Sequence, residues 1–467
     1  MKIPSVVKRF AKVFHKNGYE LYLVGGAVRD YLLGNKNSDY DFASGATPSE
    51  IMKIFSTVIP VGIQHGTVIV IYEESQFEVT TFRLDGKYSD NRRPDGVEFI
   101  RSIEEDLKRR DFTINSLAFD LNRRKIIDKF QGQKDLKRKI IKAIGNPDDR
   151  FTEDALRMLR ACRFASKLNF SIEEETFESI KRNAELINNI SVERIRDEFI
   201  KILQTDKPSI GLEYLRETGL MRHILPEFLE GYGVVQNKFH KYDVYYHNLY
   251  SCDAAPKDNY LVRIAALFHD IAKPKTKREK SEEIENENSF YNHEIIGERI
   301  TNQILKRLKF PREDIKKIRN LIRNHMFYYT DEWTDGAVRR FIKKVGLENL
   351  PELFQLRESD RIGNGSKTGV PKAFLDFQER IKDILEIDGA LKVTDLDISG
   401  NDLIRELNLK PSPMIGEILN YLLEIVLDDP ELNTNPTLID KAKEYYNKKK
   451  EFALENYKDS PENLGKF

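Results

Sequence analysis

The sequence is short of the residues that make covalent staples. Only two cysteines occur, Cys162 and Cys252, far apart and without C-x-x-C spacing. That excludes a disulfide framework and a zinc knuckle and fits a reducing, cytoplasmic compartment. No apolar run approaches the length of a membrane span. The N-terminal stretch "MKIPSVVKRFAKVFHKNGYELYLVGG" is interrupted by Lys and Arg and lacks the continuous apolar centre of a signal peptide. An excess of either charge is also missing, with 76 Lys+Arg against 76 Asp+Glu. A polyanionic partner must therefore be met by a local basic patch such as "RRKIIDKFQGQKDLKRK". There is no internal repeat and no low-complexity tract.

What is present is 467 residues with 40% apolar and 33% charged side chains, enough for roughly three domains with their own cores. Apolar spacing from Val6 to Phe14 predicts an amphipathic helix closed by Gly18, followed by a strand in "YELYLVGG". Further strands are expected at "STVIPVG", "TVIVIYEE", "FEVTTFR", "VEFI" and "KIIDKF", with helices at "GAVRDYLLG" and "TPSEIMKIF". After "AIGNPDDRF" the strand signal ends. "TEDALRMLRACRFASKL" reads as one helix, with Thr152 and Asp154 suited to its start. The expected division is an α/β head over 1–145, a helical neck over 146–225, a helical body over 226–370 and a helical tail over 371–467. The charged run from Lys273 to Ser289 reads as a solvated loop, and "GNGSKTGVPK" as a second flexible boundary.

The chemistry concentrates at "NSDYDFAS". In a strand, residues i and i+2 point the same way, so Asp39 and Asp41 would present two carboxylates to one face. Alone, such a pair is usually a solvated turn. Converging hard oxygen ligands also suit Mg²⁺, with water and phosphate oxygens completing the shell. Just upstream, Gly25 and Gly26 end a strand where a helix begins, and Arg29 stands on its first turn. Backbone N–H groups at such a turn can cradle phosphate. Phosphate grip and metal clamp thus lie within one short segment.

"LYLVGGAVRDYLLGNKNSDYDFAS" resembles the first motif of the tRNA nucleotidyltransferase and bacterial poly(A) polymerase family, the class II branch of the polymerase-β-like nucleotidyltransferases. The resemblance implies that Asp39 and Asp41 hold catalytic Mg²⁺; the chemistry of nucleotidyl transfer offers Glu78, in the strand "FEVTTFR", as a third acid. "KRRDFTINSLAFD" resembles the second motif, implying that Arg110 and Asp111 handle the incoming nucleotide's sugar and phosphates, with Asn115 close by. "FTEDALRMLRACRFASKLNF" resembles the base-reading motif. On one helix Asp154 and Arg157 would share a face, with Arg160 and Arg163 continuing it toward triphosphate. "SVERIRDEFIKIL", with Glu193 and Arg194, and "ISGNDLI" in the tail look like further family segments. The resemblance is close from Leu21 to about Leu225 and looser in the tail. Ser44 and Ser116 depart from the usual residues without touching the chemistry.

The pairing of a carboxylate with a guanidinium fits cytosine and adenine alike. Both bases present an exocyclic amino donor beside a ring-nitrogen acceptor, so Asp154 would accept and Arg157 donate. Uracil and guanine reverse these groups and would leave a buried charge unpaired. The polar, Gly-rich segment "RLDGKYSDNRRPDGVEF" reads as a mobile loop between two strands. In the family such a loop goes with addition of the terminal A.

A second constellation lies in the body. "YYHNLY", "ALFHDIAKPK", "NHEIIG", "RNHMFYY" and "RESDRIG" supply His247, His269, Asp270, His293, His325 and Asp360 in an order that resembles the HD phosphohydrolase superfamily. Imidazoles with carboxylates suit a transition metal or a dinuclear Mg²⁺ or Mn²⁺ site. The resemblance implies His247, His269, Asp270 and Asp360 around one metal, with His293 and His325 available for a second.

The sequence therefore leads to an α+β protein with a polymerase-β-like head followed by helical neck, body and tail. The expected activity is addition of CCA to tRNA from CTP and ATP, with Gly26, Arg29 and Arg110 gripping the triphosphate and sugar. Poly(A) polymerases and enzymes adding only the terminal A share the same motifs. An HD-type phosphohydrolase acting on RNA ends or nucleotides is the alternative from another class.

Overall fold

The computed structural model describes residues 3–35, 40–86, 96–236, 240–278, 289–365, 369–387 and 392–458. Helix α1 (Ser5–Lys16) buries Val7, Phe10, Ala11 and Phe14, a stripe at i, i+3, i+4 and i+7. Gly18, at φ 83°, follows its end, as expected. The stripe packs on a seven-stranded sheet of order β3-β4-β5-β2-β1-β8-β9. Its strands are β1 (Leu21–Val24), β2 (Asp41–Ser44), β3 (Val58–Gly62), β4 (Thr67–Tyr72), β5 (Ser75–Thr81), β8 (Ala118–Asp120) and β9 (Lys125–Ile127); β6 (Arg83–Asp85) and β7 (Val97–Phe99) form a separate hairpin.

The expected strands of the head are present. Two more, β6 and β8, carry only three residues each, too few for a period-2 signal to stand out. The "RLDGKYSDNRRPDGVEF" segment thus opens and closes as paired backbone, with Arg83 opposite Phe99 and Asp85 opposite Val97. Its middle lies outside the described residues.

Alternation along the central strands creates two buried layers. Leu23, Phe42, Phe77 and Val79 face α1. Tyr22, Val24, Ala43 and Ala118 face the opposite side, under Phe82 and under Ile103 and Leu107 of α4 (Ile103–Lys108). Helices α2 (Gly26–Leu32) and α3 (Pro48–Ile54) follow β1 and β2; α3 starts with Thr47 and Glu50 in a reciprocal capping box. Helix α5 (Gly132–Arg138) packs so closely on the second-motif segment that a Cβ on Gly132 would lie 2.2 Å from the Thr113 carbonyl oxygen.

Beyond the head the chain is helical, with two small departures from expectation. β10 (Ile140–Ile141) pairs in parallel with β11 (Ser171–Ile172), and β12 (Lys277–Arg278) pairs with β13 (Ser289–Phe290). The charged run is therefore not wholly a solvated loop. Its first residues form a helical turn over Lys273–Thr276, Lys273 is buried, and its described ends form a two-strand ladder; residues 279–288 lie outside the description. In "GNGSKTGVPK", residues 366–368 lie outside it too. The tail has its own core, including Leu396, Leu403, Leu422, Val426 and Leu438.

Phe10 carries the most ring contacts in the head core, with centroids of Phe14, Phe42, Phe55, Tyr72 and Phe77 at 4.6 to 5.5 Å. Truncation leaves a cavity that the sheet cannot close. Phe10→Ala is expected to cost about 3–5 kcal/mol, read as a lower midpoint in chemical denaturation of the head.

Candidate active site and metal-ligand cluster

The first site is assembled where β1 ends. Gly25 sits at φ 61° and ψ −125°, and a Cβ there would come 3.1 Å from Arg110 Nη1, so conformation and space both demand glycine. The turn lets α2 start at Gly26 and returns Arg29 to the interior. There Arg29 Nη1 donates to Asn115 Oδ1 at 2.7 Å and Nε donates to Asp30 Oδ1 at 2.8 Å. Arg110 Nη1 donates to the Asn115 carbonyl at 3.5 Å and Nη2 donates to Asp106 Oδ2 at 3.3 Å. Its Nε is buried with no acceptor in reach.

Because β1 and β2 are antiparallel, the start of β2 lies beside this turn, and Asp41 opens β2 as an exposed residue. β2 runs parallel to β5 with Asp41 in register with Glu78, so the two carboxylates belong to one sheet face. Asp39, expected on the same strand, lies outside the described residues.

Across from these, the neck corrects one expectation. The predicted single helix is two, α6 (Pro147–Glu153) and α7 (Leu156–Leu168), and Asp154 stands between them in extended conformation at φ −142°, ψ 101°. Its Oδ1 accepts from the Leu156 backbone N–H at 3.1 Å, the local bond by which Asp favours a helix boundary over a helix interior. Asp154 and Arg157 are consequently not an i,i+3 helix pair. Asp154 Oδ2 accepts from Arg194 Nη2 at 2.8 Å, while Arg157 Nη1 donates to Glu153 Oε2 at 2.6 Å and Nη2 to the Arg109 carbonyl at 3.0 Å.

Arg160 and Arg163 were expected to face triphosphate, but both hold protein carboxylates. Arg160 Nε donates to Asp111 Oδ2 at 2.8 Å, and Arg163 Nε lies 2.7 Å from Glu198 Oε2. The guanidiniums of Arg29, Arg160 and Arg163 surround the Phe164 ring at 5.3, 5.5 and 4.4 Å from its centroid. The fold thus brings Arg29, Asp111, Asn115, Arg160 and Arg163 together and leaves Glu193 outside, paired with Lys309 at 2.7 Å. Sequence reasoning missed Asp106, Glu198 and Phe164 as partners: Glu198 reaches Arg163 from another helix, whereas Asp106 pairs with Arg110 at i,i+4 and Phe164 shares α7 with Arg160 and Arg163, spacings that could have signalled them. Glu153 was legible as Asp154's neighbour.

Asp111 is the anchor of this cluster. Burial alone would raise its carboxyl; the Arg160 guanidinium and the Asn115 amide, 3.1 Å from Oδ1, outweigh that and hold it down at about 2.

The second constellation is brought together in full. His247, His269 and Asp360 form one group of converging ligand atoms; Asp270, His293 and His325 form another. The expected partition differs at Asp270, which serves both. Its Oδ2 lies 3.4 Å from His247 Nε2 and 3.3 Å from His269 Nε2, while Oδ1 lies 3.2 Å from His293 Nε2 and 3.8 Å from His325 Nε2. The helices Val244–Ala254, Tyr260–Phe268, His293–Arg307, Arg312–Asn324 and Leu350–Gly363 carry or directly precede these ligands. Backbone carbonyls orient the rings, with Nδ1 of His269, His293 and His325 2.7 to 2.8 Å from the carbonyl three residues earlier. Burial opposes the charge on His269, but Asp270 and Asp360 push it up to about 10; burial and the charged His269 push His325 down to about 3. His240 was not singled out from the sequence. Its ring stands 5.2 Å from that of His247 on the wall of a cavity of about 650 Å³. The signal for it was its place seven residues before His247.

Fold and sites define a nucleotidyltransferase head joined through a helical neck to an HD-type body. Three family descriptions match in order: "Poly A polymerase head domain" over 21–142, "Probable RNA and SrmB- binding site of polymerase A" over 169–231, and "HD domain" over 240–365. The CCA-adding enzyme of Ligilactobacillus salivarius is 35% identical over 96% of this chain and 98% of its own length. That of Geobacillus kaustophilus is 50% identical over 45% of this chain and 52% of its own. The crystal structure of Bacillus stearothermophilus CCA-adding enzyme in complex with CTP covers 97% of this chain and 100% of its own, at TM-score 0.74 and 29% identity. The chain belongs to the CCA-adding enzyme family, the tRNA nucleotidyltransferases. Among the described residues no helix is long and apolar enough to cross a membrane.

The depressed Asp111 carboxyl contributes stability that is complete above its unfolded value near 4 and is lost as pH falls through about 2. Stability measured stepwise from pH 5 to 2 is expected to fall about 2 kcal/mol more in the wild type than in Asp111→Asn.

Proposed function

We propose that this chain adds CCA to the 3′ end of tRNA from CTP and ATP, without a nucleic-acid template. One observation carries the reading. At the junction of head and neck, guanidiniums and their carboxylate partners converge, and Arg110 Nε and Arg194 Nη1 are buried without a hydrogen-bond partner among the described residues. An anionic ligand suits buried guanidinium donors of this kind, and a nucleoside triphosphate supplies phosphates on one side and a base on the other.

In this reading Asp39 and Asp41 hold Mg²⁺, and Glu78, in register with Asp41, supports them. Hard carboxylate oxygens at an exposed strand start fit that ion. When bound, Mg²⁺ lowers the pKa of the attacking hydroxyl and neutralises the leaving pyrophosphate. The chain's own groups do the rest. Gly26 and Arg29 form the phosphate-side wall, Arg110 donates to phosphate, and Asp111 with Asn115 positions the sugar. Asp154 accepts from the exocyclic amino group of cytosine or adenine, and Arg157 donates to the ring nitrogen. For this, Asp154 exchanges Arg194, Arg157 exchanges Glu153, Arg163 turns from Glu198 toward the phosphates, and Arg160 faces them while still holding Asp111. The segment between β5 and α4 supports addition of A as well as C. The tRNA lies along neck, body and tail, and a tRNA substrate together with two unpaired cysteines supports a cytoplasmic setting.

Extension assays test this. Given tRNA lacking CCA, with CTP and ATP singly and together, sequenced products should end in CCA only when both are present. A run of A would select the poly(A) alternative, and extension of CC-ended tRNA alone would select the A-adding one. Asp41→Ala forfeits several kcal/mol of metal-assisted stabilisation and should slow addition by about 10³-fold or more. Asp154→Ala should admit UTP and GTP, seen as mixed product ends.

A second reading is supported by the ligand set of the body. His247, His269 and Asp360 beside Asp270, His293 and His325 would hold divalent metal, which favours metal-dependent phosphoester hydrolysis as an additional activity. His269→Ala should abolish Mn²⁺ binding at this cluster in isothermal titration while leaving CCA addition unchanged.

A further inference from the structure

The head carries an open sheet face that neither reading uses. Directly paired residues point to one face, and the register gives a single row across four strands: Asp41 of β2, Glu78 of β5, Ile69 of β4 and Ile59 of β3. Ile71, two residues beyond Ile69, shares that face, and Val61 stands beside it at the register shift between Pro60 and Gly62. Ile59 is 46% exposed and Val61 61%, while Ile69 and Ile71 are partly exposed. Among the described residues, none of these four packs into either buried layer of the head. A solvated face of an antiparallel sheet ordinarily carries polar side chains. Four β-branched aliphatic residues beside Asp41 and Glu78 depart from that pattern.

Nucleotidyl transfer decides from which side the primer enters. The attacking hydroxyl and the leaving pyrophosphate lie in line across the reacting phosphorus. The phosphate-side turn at Gly25 and Gly26 ends β1, the neighbour of β2 on the side away from β5. The hydroxyl therefore arrives over β5, and the surface behind it is this aliphatic face. We propose that Ile59, Val61, Ile69 and Ile71 form a primer shelf: the last nucleotides of the tRNA 3′ end rest their bases on these side chains while the terminal hydroxyl reaches Asp41. This role rests on the CCA-adding reading and deepens it by naming positioning residues for the primer. Strands about 4.8 Å apart place Ile69 and Ile59 about 10 and about 14 Å from the strand bearing Asp41, within reach of a short single strand. Every base presents an apolar face, so such contact is indifferent to base identity. That suits a primer whose last nucleotide changes as addition proceeds. A second copy of the chain is the poorer occupant. Pro60 and the register shift beside Val61 blunt β3 against strand addition, and a protein seated on the face would close the approach to Asp41.

Steady-state addition by the full chain tests the shelf, with CTP and tRNA lacking CCA as substrates. Ile59→Asn combined with Ile69→Thr is expected to raise KM for tRNA about fivefold or more while KM for CTP stays at the wild-type value. Ile59→Leu with Ile69→Val should recover most of that loss. A tRNA made abasic at its 3′-terminal nucleotides supplies a readout that a merely structural role would not move. Wild type should lose a similar factor on this primer, and the double variant little beyond what it has already lost. If the double variant does not fold, Ile59→Asn alone, at an exposed edge position, should raise the same KM about twofold or more. An unchanged KM for tRNA, a rise shared equally by CTP, or an abasic penalty as large in the variant as in wild type overturns the shelf and leaves CCA addition standing. Wild-type protein that extends no tRNA overturns both.

Discussion

The ion pair between Asp111 and Arg160 joins the head to the neck, and the arrangement of the first site depends on it. Asp111 comes from the segment after α4, while Arg160 comes from the middle of α7. Asp111 is buried while the Arg160 side chain stays partly exposed, and the cost of taking the carboxylate out of water is offset by the partners of its two oxygens. Asp111 Oδ1 accepts from the Phe112 backbone N–H at 2.8 Å and from Asn115. Asn115 in turn accepts from Arg29, which fixes α2 against the second-motif segment. One buried carboxylate thus sets the relative placement of the glycine turn, the Asp111–Asn115 segment and the neck helix.

The two sites use charge differently. In the first, each guanidinium holds a carboxylate of the chain, Arg29 with Asp30, Arg110 with Asp106, Arg157 with Glu153, Arg160 with Asp111, Arg163 with Glu198 and Arg194 with Asp154; the planar fork of Arg meets carboxylate and phosphate alike. In the body, imidazoles surround two carboxylates, and the rings of His269, His293 and His325 are fixed by backbone carbonyls. That is a rigid arrangement on helices rather than an exchangeable one. Zero net charge overall is compatible with both, since each site is locally organised.

Much of this was legible in the sequence. The motif around Gly25 and Gly26 was readable from residue type and spacing, whereas the second-motif segment and the HD ligand set came through resemblance to known families, because residue type alone does not separate a basic run or scattered histidines from solvated surface. The helix over 5–16 and the capped helix at Thr47 follow from period and cap. Less legible were β6 and β8, each too short to display a period, and the break at Asp154, where a side-chain bond to the backbone overrode an otherwise continuous helical pattern. Lys273 read as part of a solvated charged run because neighbours in sequence, not in space, set that impression.

The sequence by itself determined the chemical inventory: which groups can ligate metal, grip phosphate and read a base, and that they sit on an α/β head followed by helices. Only the tertiary structure decided partnership. Asp154 holds Arg194 rather than Arg157, Arg160 holds Asp111, Asp270 spans both ligand groups, and Lys273 is buried against it. The physical reason is that composition and periodicity report which residues leave water. Which buried charge meets which is settled by strands and helices distant in the chain, through contacts whose energies depend on a few tenths of an ångström.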